Sequence, residues 1–292
     1  MDVWQTAVLM PDGRLEFDDP KGFSKALKDG FFFIHSPDID LSAGDRFAQS
    51  FYLSESSDDP YRGFSRFTAV ELAEHEGYYR READQTEQFF LESRFWGRVF
   101  PNPLVFQAKA MRAFSIDVLR GVLAVLELPI DLWDRATGLA LSGYGTYHLT
   151  FNHFRSNFRA RGLNVHKDSG WVTILRSIEP GLEVLRDNRW EAILPRPGYF
   201  IVNFGCAMEI LMRHSATPVA AAAHRVAEIK PSPSKPDRFS YALFVDSSLD
   251  ERMCSGLFEY RPQRGLVLAM SFKAFLDDIL KNTYQSDTQG LY

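Results

Sequence analysis

The chain has 292 residues, room for one large domain or two closely packed halves with a buried core. Hydrophobic residues make up 45% and charged residues 24%, as in ordinary globular proteins, and the net charge of -5 comes from interspersed acids and bases. With no basic stretch, a nucleic-acid partner is not expected. The two cysteines, Cys206 and Cys254, are too few for a secreted disulfide scaffold, which points to a reducing cytoplasm. The start Met1-Asp2-Val3-Trp4 lacks the basic-then-apolar pattern of a signal peptide. The small-apolar run from Val219 to Ala223 is too short for a bilayer, so no membrane partner is expected.

Phe23, Ala26 and Leu27 at helical spacing, with Gly30 as the stop, predict a helix from residue 20, and Phe31 to Ile34 reads as a buried strand. A second helix is expected over 38–53, weakened by Gly44, and a polar loop over 54–66. The longest helix is expected over 103–127. Its apolar face is Ala108, Met111, Phe114, Val118, Leu119, Val122 and Leu126, and Pro103 suits its first turn. A shorter helical piece covers 131–138. After Gly143 short apolar segments alternate with turns, giving strands at 146–153, 171–176, 182–186, 190–194, 198–203, 219–229, 239–245 and 264–267. Asp187-Asn188 marks a hairpin and Pro197-Gly198 another turn. A final helix follows residue 269, and the last ten residues are expected to fray. Helices ahead of many short strands make the class α+β, with a sandwich or barrel core. The expected division is a helix-rich region at 1–140, a strand core at 141–270, and a C-terminal helix and tail at 271–292.

Among the seven histidines, only His166 has an acid two residues later, Asp168. On a strand, residues two apart share a face, so both could reach one ion. His224 lies in another strand-like run, Ala223-His224-Arg225-Val226. Two histidines and a carboxylate suit iron(II) with open positions; zinc is the competing metal.

Further on comes Arg238-Phe239-Ser240. A guanidinium and a hydroxyl on one strand face can clamp a carboxylate. Buried, that arginine implies a bound anion; on an edge strand it would be an ordinary surface charge.

The ordered set His166-x-Asp168, His224 and Arg238-x-Ser240 resembles the isopenicillin N synthase-like branch of 2-oxoglutarate- and iron(II)-dependent dioxygenases. So do the runs Asp168 to Leu175, Gly181-Leu182-Glu183-Val184, Pro197 to Gly205 with Glu209-Ile210-Leu211, Ala26 to Phe32, and Arg62-Gly63-Phe64. The resemblance covers roughly residues 20 to 280. It implies a double-stranded β-helix, or jelly roll, flanked by N-terminal helices and a C-terminal helix. By that resemblance His166, Asp168 and His224 hold iron(II), and Arg238, Ser240 and Asn152 hold 2-oxoglutarate. Oxygen is the second co-substrate. The implied reaction hydroxylates, desaturates or cyclises a small organic substrate, such as an amino acid or a secondary-metabolism intermediate, and releases succinate and carbon dioxide. The implied state is a monomer or small homo-oligomer.

Some positions depart from the family pattern. Where the family has Asn-Tyr-Tyr-Pro, this chain has Asn152-His153-Phe154-Arg155, so a hydroxyl is missing at Phe154. Lys167 should point away from the metal into solvent. Cys206 replaces an aspartate and reads as structural. Substrate-contact candidates are Arg62, Tyr78, Tyr79, Arg80, Arg94, Trp96 and Tyr144; for each taken singly, core packing or surface charge is the more ordinary reading, and none is assigned as a site. A 2-oxoglutarate-independent oxidase of the same fold, and a non-catalytic metal- or ligand-binding barrel, are the alternative readings.

Overall fold

The computed structural model describes residues 4–73, 76–232 and 236–284. Two facing sheets form the core. The larger contains β1 (Thr6–Leu9), β2 (Leu15–Phe17), β3 (Phe31–His35), β4 (Gly77–Arg80), β5 (Thr86–Glu92), β6 (Thr146–Phe154), β8 (Val172–Ser177), β11 (Tyr199–Phe204) and β13 (Phe239–Asp246). Its spatial order is β2-β1-β3-β11-β8-β13-β6-β5-β4. The smaller contains β7 (Leu163–His166), β9 (Leu182–Arg186), β10 (Arg189–Ala192) and β12 (His224–Val226), in the order β10-β9-β12-β7. A separate hairpin joins β14 (Leu257–Arg261) to β15 (Gly265–Met270). This arrangement is a jelly roll.

The helices are α1 (Gly22–Asp29), α2 (Ser42–Ser50), α3 (Ser93–Val99), α4 (Asn102–Val125), α5 (Trp133–Ala136), α6 (Cys206–Met212) and α7 (Phe272–Tyr284). Helix α4 packs on the outer face of the large sheet through Leu104, Ala108, Met111, Val118, Leu119 and Val122, all buried. Each large apolar side chain so buried contributes about 1.5–3 kcal/mol. A second apolar layer lies with Phe31, Phe33, Phe154, Leu175, Leu182, Val184, Ile201 and Val226. The many phenylalanines therefore serve both layers.

Gly44 sits inside α2 because Gln107 of α4 approaches there: the Gly44 amide donates to Gln107 Oε1 at 2.7 Å, and a Cβ at Gly44 would lie 2.3 Å from Gln107 Nε2. A helix weakened by glycine is thus fastened by a buried side chain. Asp187 and Asn188 both adopt positive φ, 47° and 61°, the geometry of the tight turn expected between β9 and β10.

Several expectations need correction. The N-terminal region carries five strands as well as helices, and β14 was not foreseen. The 38–53 helix is confined to Ser42–Ser50. The strand expected over 219–229 shrinks to His224–Val226. Ahead of it, the amides of Ala220 and Ala221 donate to the Leu27 carbonyl and the Glu209 carboxylate, not to a sheet neighbour. Helix α6 follows β11 where no helix was expected. The fraying expected at the C-terminus lies outside the described residues. No helix among the described residues is long and apolar enough to cross a membrane.

Candidate active site

His166 ends β7 and His224 begins β12, directly opposite each other in the antiparallel register. The pairing slips by one residue between His224 and Val226, so β7 carries a bulge beside His166; such bulges re-aim side chains next to active sites. The two imidazole centroids are 4.3 Å apart. Each Nδ1 faces a backbone carbonyl two residues earlier: Asn164 at 2.9 Å for His166, Ala222 at 3.0 Å for His224. With Nδ1 as the donor, each Nε2 lone pair is left for a metal. Burial, and then the neighbouring His224, push the His166 imidazole down to about 4, which keeps it neutral near pH 7 as a ligand must be.

Asp168 does not share a strand with His166, as the sequence suggested. It lies two residues beyond the end of β7. Its Oδ1 is 3.9 Å from His166 Nε2 and 3.7 Å from His224 Nε2, while Oδ2 accepts from Asn203 Nδ2 at 3.1 Å. Its backbone carbonyl accepts from the Cys206 amide at 2.8 Å, at the start of α6. Three ligand atoms thus converge within 4.8 Å of one another, the one such cluster of His, Cys, Asp and Glu among the described residues. The donor set, tied Nδ1 atoms and buried carboxylate fit a divalent metal with positions left open.

Cys206 acts here through its backbone, because burial pushes its thiol up to about 12. Lys167 turns away from the cluster as expected, but it is not solvated. Its Nζ pairs with Glu209 of α6 at 3.1 Å.

Arg238 stands in the same cavity, which Asn152, His166, Asp168, Asn203, His224 and Ser240 also line. Its Nε donates to the Pro180 carbonyl at 3.1 Å and one Nη to Ser177 Oγ at 3.0 Å. The other Nη is buried with no partner. Burial lowers this guanidinium to about 10, so it stays charged at neutral pH. Phe154 places its ring 4.4 Å from the guanidinium carbon. The missing hydroxyl is thus replaced by an aromatic face that stabilises the cation. Ser240 pairs across the sheet with Asn152, and Gln88 Nε2 occupies Asn152 Oδ1 at 2.6 Å. An orphaned buried cation beside a hydroxyl and a side-chain amide fits a carboxylate-bearing ligand.

Residues 145–247 match the sequence model described as the 2OG-Fe(II) oxygenase superfamily. That segment of the chain is similar to this superfamily. It is 31% identical over 119 residues to a gibberellin 2-beta-dioxygenase 8 of Arabidopsis thaliana, covering 40% of this chain and 32% of that one. It is 36% identical over 93 residues to a thebaine 6-O-demethylase of Papaver somniferum, covering 31% and 24%. The matched part thus spans a third or less of these curated relatives. Across nearly the whole chain the fold follows JOX2 solved with 2OG, Fe and JA (TM-score 0.65, 20% identity, 95% and 86% covered). It also follows the rice dioxygenase for auxin oxidation (TM-score 0.62, 19% identity, 99% and 98% covered). The superfamily's description names 2OG and iron(II), and JOX2 was solved with both.

Of the substrate-contact candidates, Tyr79 and Arg94 line a second cavity next to the metal cluster. Trp96 is a core residue whose Nε1 donates to the Leu91 carbonyl at 2.9 Å. Tyr78 packs edge-on to Phe51, Arg80 reaches Glu82 at 3.7 Å, and Tyr144 is exposed. Arg62 is half-buried in the loop before residue 64. Sequence reasoning assigned no role to Asn203, Gln88, His148, Phe244 or Asp246. The His148–Phe244 and Thr146–Asp246 pairings that bring several of them together follow from β6 lying beside β13, a long-range pairing without a local signal.

Proposed function

We propose that the chain is an iron(II)- and 2-oxoglutarate-dependent dioxygenase that hydroxylates, desaturates or cyclises a small organic substrate, releasing succinate and carbon dioxide. The observation that carries this reading is the unpartnered, buried Nη of Arg238 in one cavity with His166, Asp168 and His224. A metal-only site would not need that charge. In this reading Nε2 of both histidines and Oδ1 of Asp168 hold iron(II). Arg238, Ser240 and the amide nitrogen of Asn152 hold the distal carboxylate of 2-oxoglutarate.

Iron(II), when bound, supplies the redox chemistry that activates oxygen, with 2-oxoglutarate as co-reductant. The chain's own residues supply position and environment. Asn203 keeps Asp168 turned toward the histidines. Phe154 faces the guanidinium, and the apolar walls of Leu175, Leu182 and Val226 limit water around the site. The two cysteines are free and buried, which suits a cytoplasmic enzyme.

The test is an anaerobic titration of the iron(II) protein with 2-oxoglutarate. The expected result is a visible charge-transfer band in wild type that is weakened in Arg238→Ala, followed by succinate release on admitting oxygen. Oxygen uptake with substrate but without 2-oxoglutarate would replace the reading with an oxidase. Metal binding with neither band nor turnover would leave a binding barrel.

A further inference from the structure

Next to the metal cluster lies a cavity of about 250 Å³, just below the usual span of ligand pockets, ~300–1,000 Å³. Phe244 lines both spaces, and Ser169, next in sequence to Asp168, lines this one. Its apolar wall is Phe90, Phe244, Leu249 and Leu276.

The charges in the cavity are unequally matched. Arg94 is spent on Glu92 at 2.7 Å, and its side chain is 63% exposed. His148 Nε2 faces Glu76 Oε1 at 3.2 Å, with the His148 ring stacked on Phe90. Asp246 is different: it is buried, and Oδ1 accepts from Ser169 Oγ at 3.2 Å. Among the described residues its Oδ2 has no hydrogen bond, and no lysine, arginine or histidine nitrogen lies within ion-pair distance of the carboxylate. A buried carboxylate without a cation is costly, and a ligand bringing positive charge offsets that cost. Of the arginine candidates, Arg80 and Arg94 pair with Glu82 and Glu92.

We propose that this cavity is the substrate pocket for a small amine, whose protonated nitrogen pairs with Asp246 and whose apolar body lies against Phe90, Phe244, Leu249 and Leu276. The aromatic walls favour a cation further. The assignment as a substrate pocket rests on the oxygenase reading; the amine selectivity rests on the cavity alone.

The test is calorimetry at about pH 8, where an alkyl amine is protonated. Phenethylamine, phenethyl alcohol and hydrocinnamate are titrated into the manganese(II) protein with 2-oxoglutarate, and each again without it. The expected order places the amine about tenfold or more tighter than the alcohol, with hydrocinnamate weakest. Asp246→Asn should erase the preference for the amine over the alcohol. Leu249→Trp, placed at the half-exposed rim, should remove binding of both. Equal or weaker binding of the amine, no binding of any probe, or a preference that either variant leaves intact overturns the proposal. Binding of 2-oxoglutarate reports separately on the oxygenase reading: amine selectivity without it leaves an amine pocket and removes that reading. Binding of 2-oxoglutarate without amine selectivity does the reverse.

Discussion

Asn203 donates its side-chain amide to Oδ2 of Asp168 at 3.1 Å, leaving Oδ1 turned toward the two imidazoles. The donor comes from β11 and the acceptor from the loop after β7, so the large sheet orients a ligand that lies outside any strand. Asn203→Ala should therefore weaken metal affinity by ~10–100-fold with little change in fold. Competition titration of manganese(II) or cobalt(II) measures this. Wild-type affinity in the variant would remove Asn203 from the site.

Arg238 is the second test point. Arg238→Ala should raise the 2-oxoglutarate dissociation constant by about 30-fold or more, the effect of about 2 kcal/mol lost from a buried charge pair. Metal affinity should stay near wild type. Arg238→Lys keeps the charge but loses the planar fork and the stacking on Phe154, so it should recover only part of the loss. Calorimetry on the manganese(II) protein distinguishes the two.

Gly205 tests how α6 is seated. A Cβ there would stand 2.1 Å from the Gly170 carbonyl oxygen, a backbone clash that no side-chain rotation relieves. Gly205→Ala should cost ~1–3 kcal/mol of stability, and should weaken metal binding because the neighbouring Cys206 amide holds the Asp168 carbonyl. Gly97 in α3 is the control: a Cβ there meets nothing within 4 Å. Gly97→Ala should be neutral or gain up to about 1 kcal/mol. Urea midpoints at unchanged m-value report both.

Asp246 gives a pH dependence whose sign is fixed. Burial raises its carboxyl from 3.8 to about 6, with His148 and the Ser169 hydroxyl opposing. Between those two values the folded protein binds more protons than the unfolded chain, so this residue's contribution to stability is fully present below about pH 4. It is lost as pH rises through about 6. Asp246→Asn has no such titration. The stability of wild type relative to this variant should fall between about pH 4 and 6 and then level off. A parallel pair of stability curves across that window would contradict the assigned environment of Asp246.

The legible part of the molecule was the part governed by local pattern. Most strands from residue 146 onward, the long helix α4, the Asp187-Asn188 turn and the ordered cluster of His166, Asp168, His224, Arg238, Ser240 and Asn152 carried signals within a few residues of themselves; β7 and β14 did not. The structure brings these six side chains to one cavity. What stayed hidden depends on distant partners. Ala220 and Ala221 look strand-like, yet their amides go to Leu27 and Glu209. Arg94 stood among the substrate-contact candidates, yet its guanidinium pairs with Glu92. Asp246 and His148 meet one cavity only because β13 lies against β6.

Glu209 accepts from Lys167 Nζ at both carboxylate oxygens and from the Ala221 amide at Oε1, so a single helical side chain touches the approaches to both halves of the metal cluster. The Leu27 carbonyl anchors Ala220 beside it. His224 is therefore indexed by contacts immediately before it and not by the path of the chain from α6. The stretch between Met212 and Val219 is tied instead to β14, where His214 and Arg213 reach Glu259 at 3.2 and 3.7 Å.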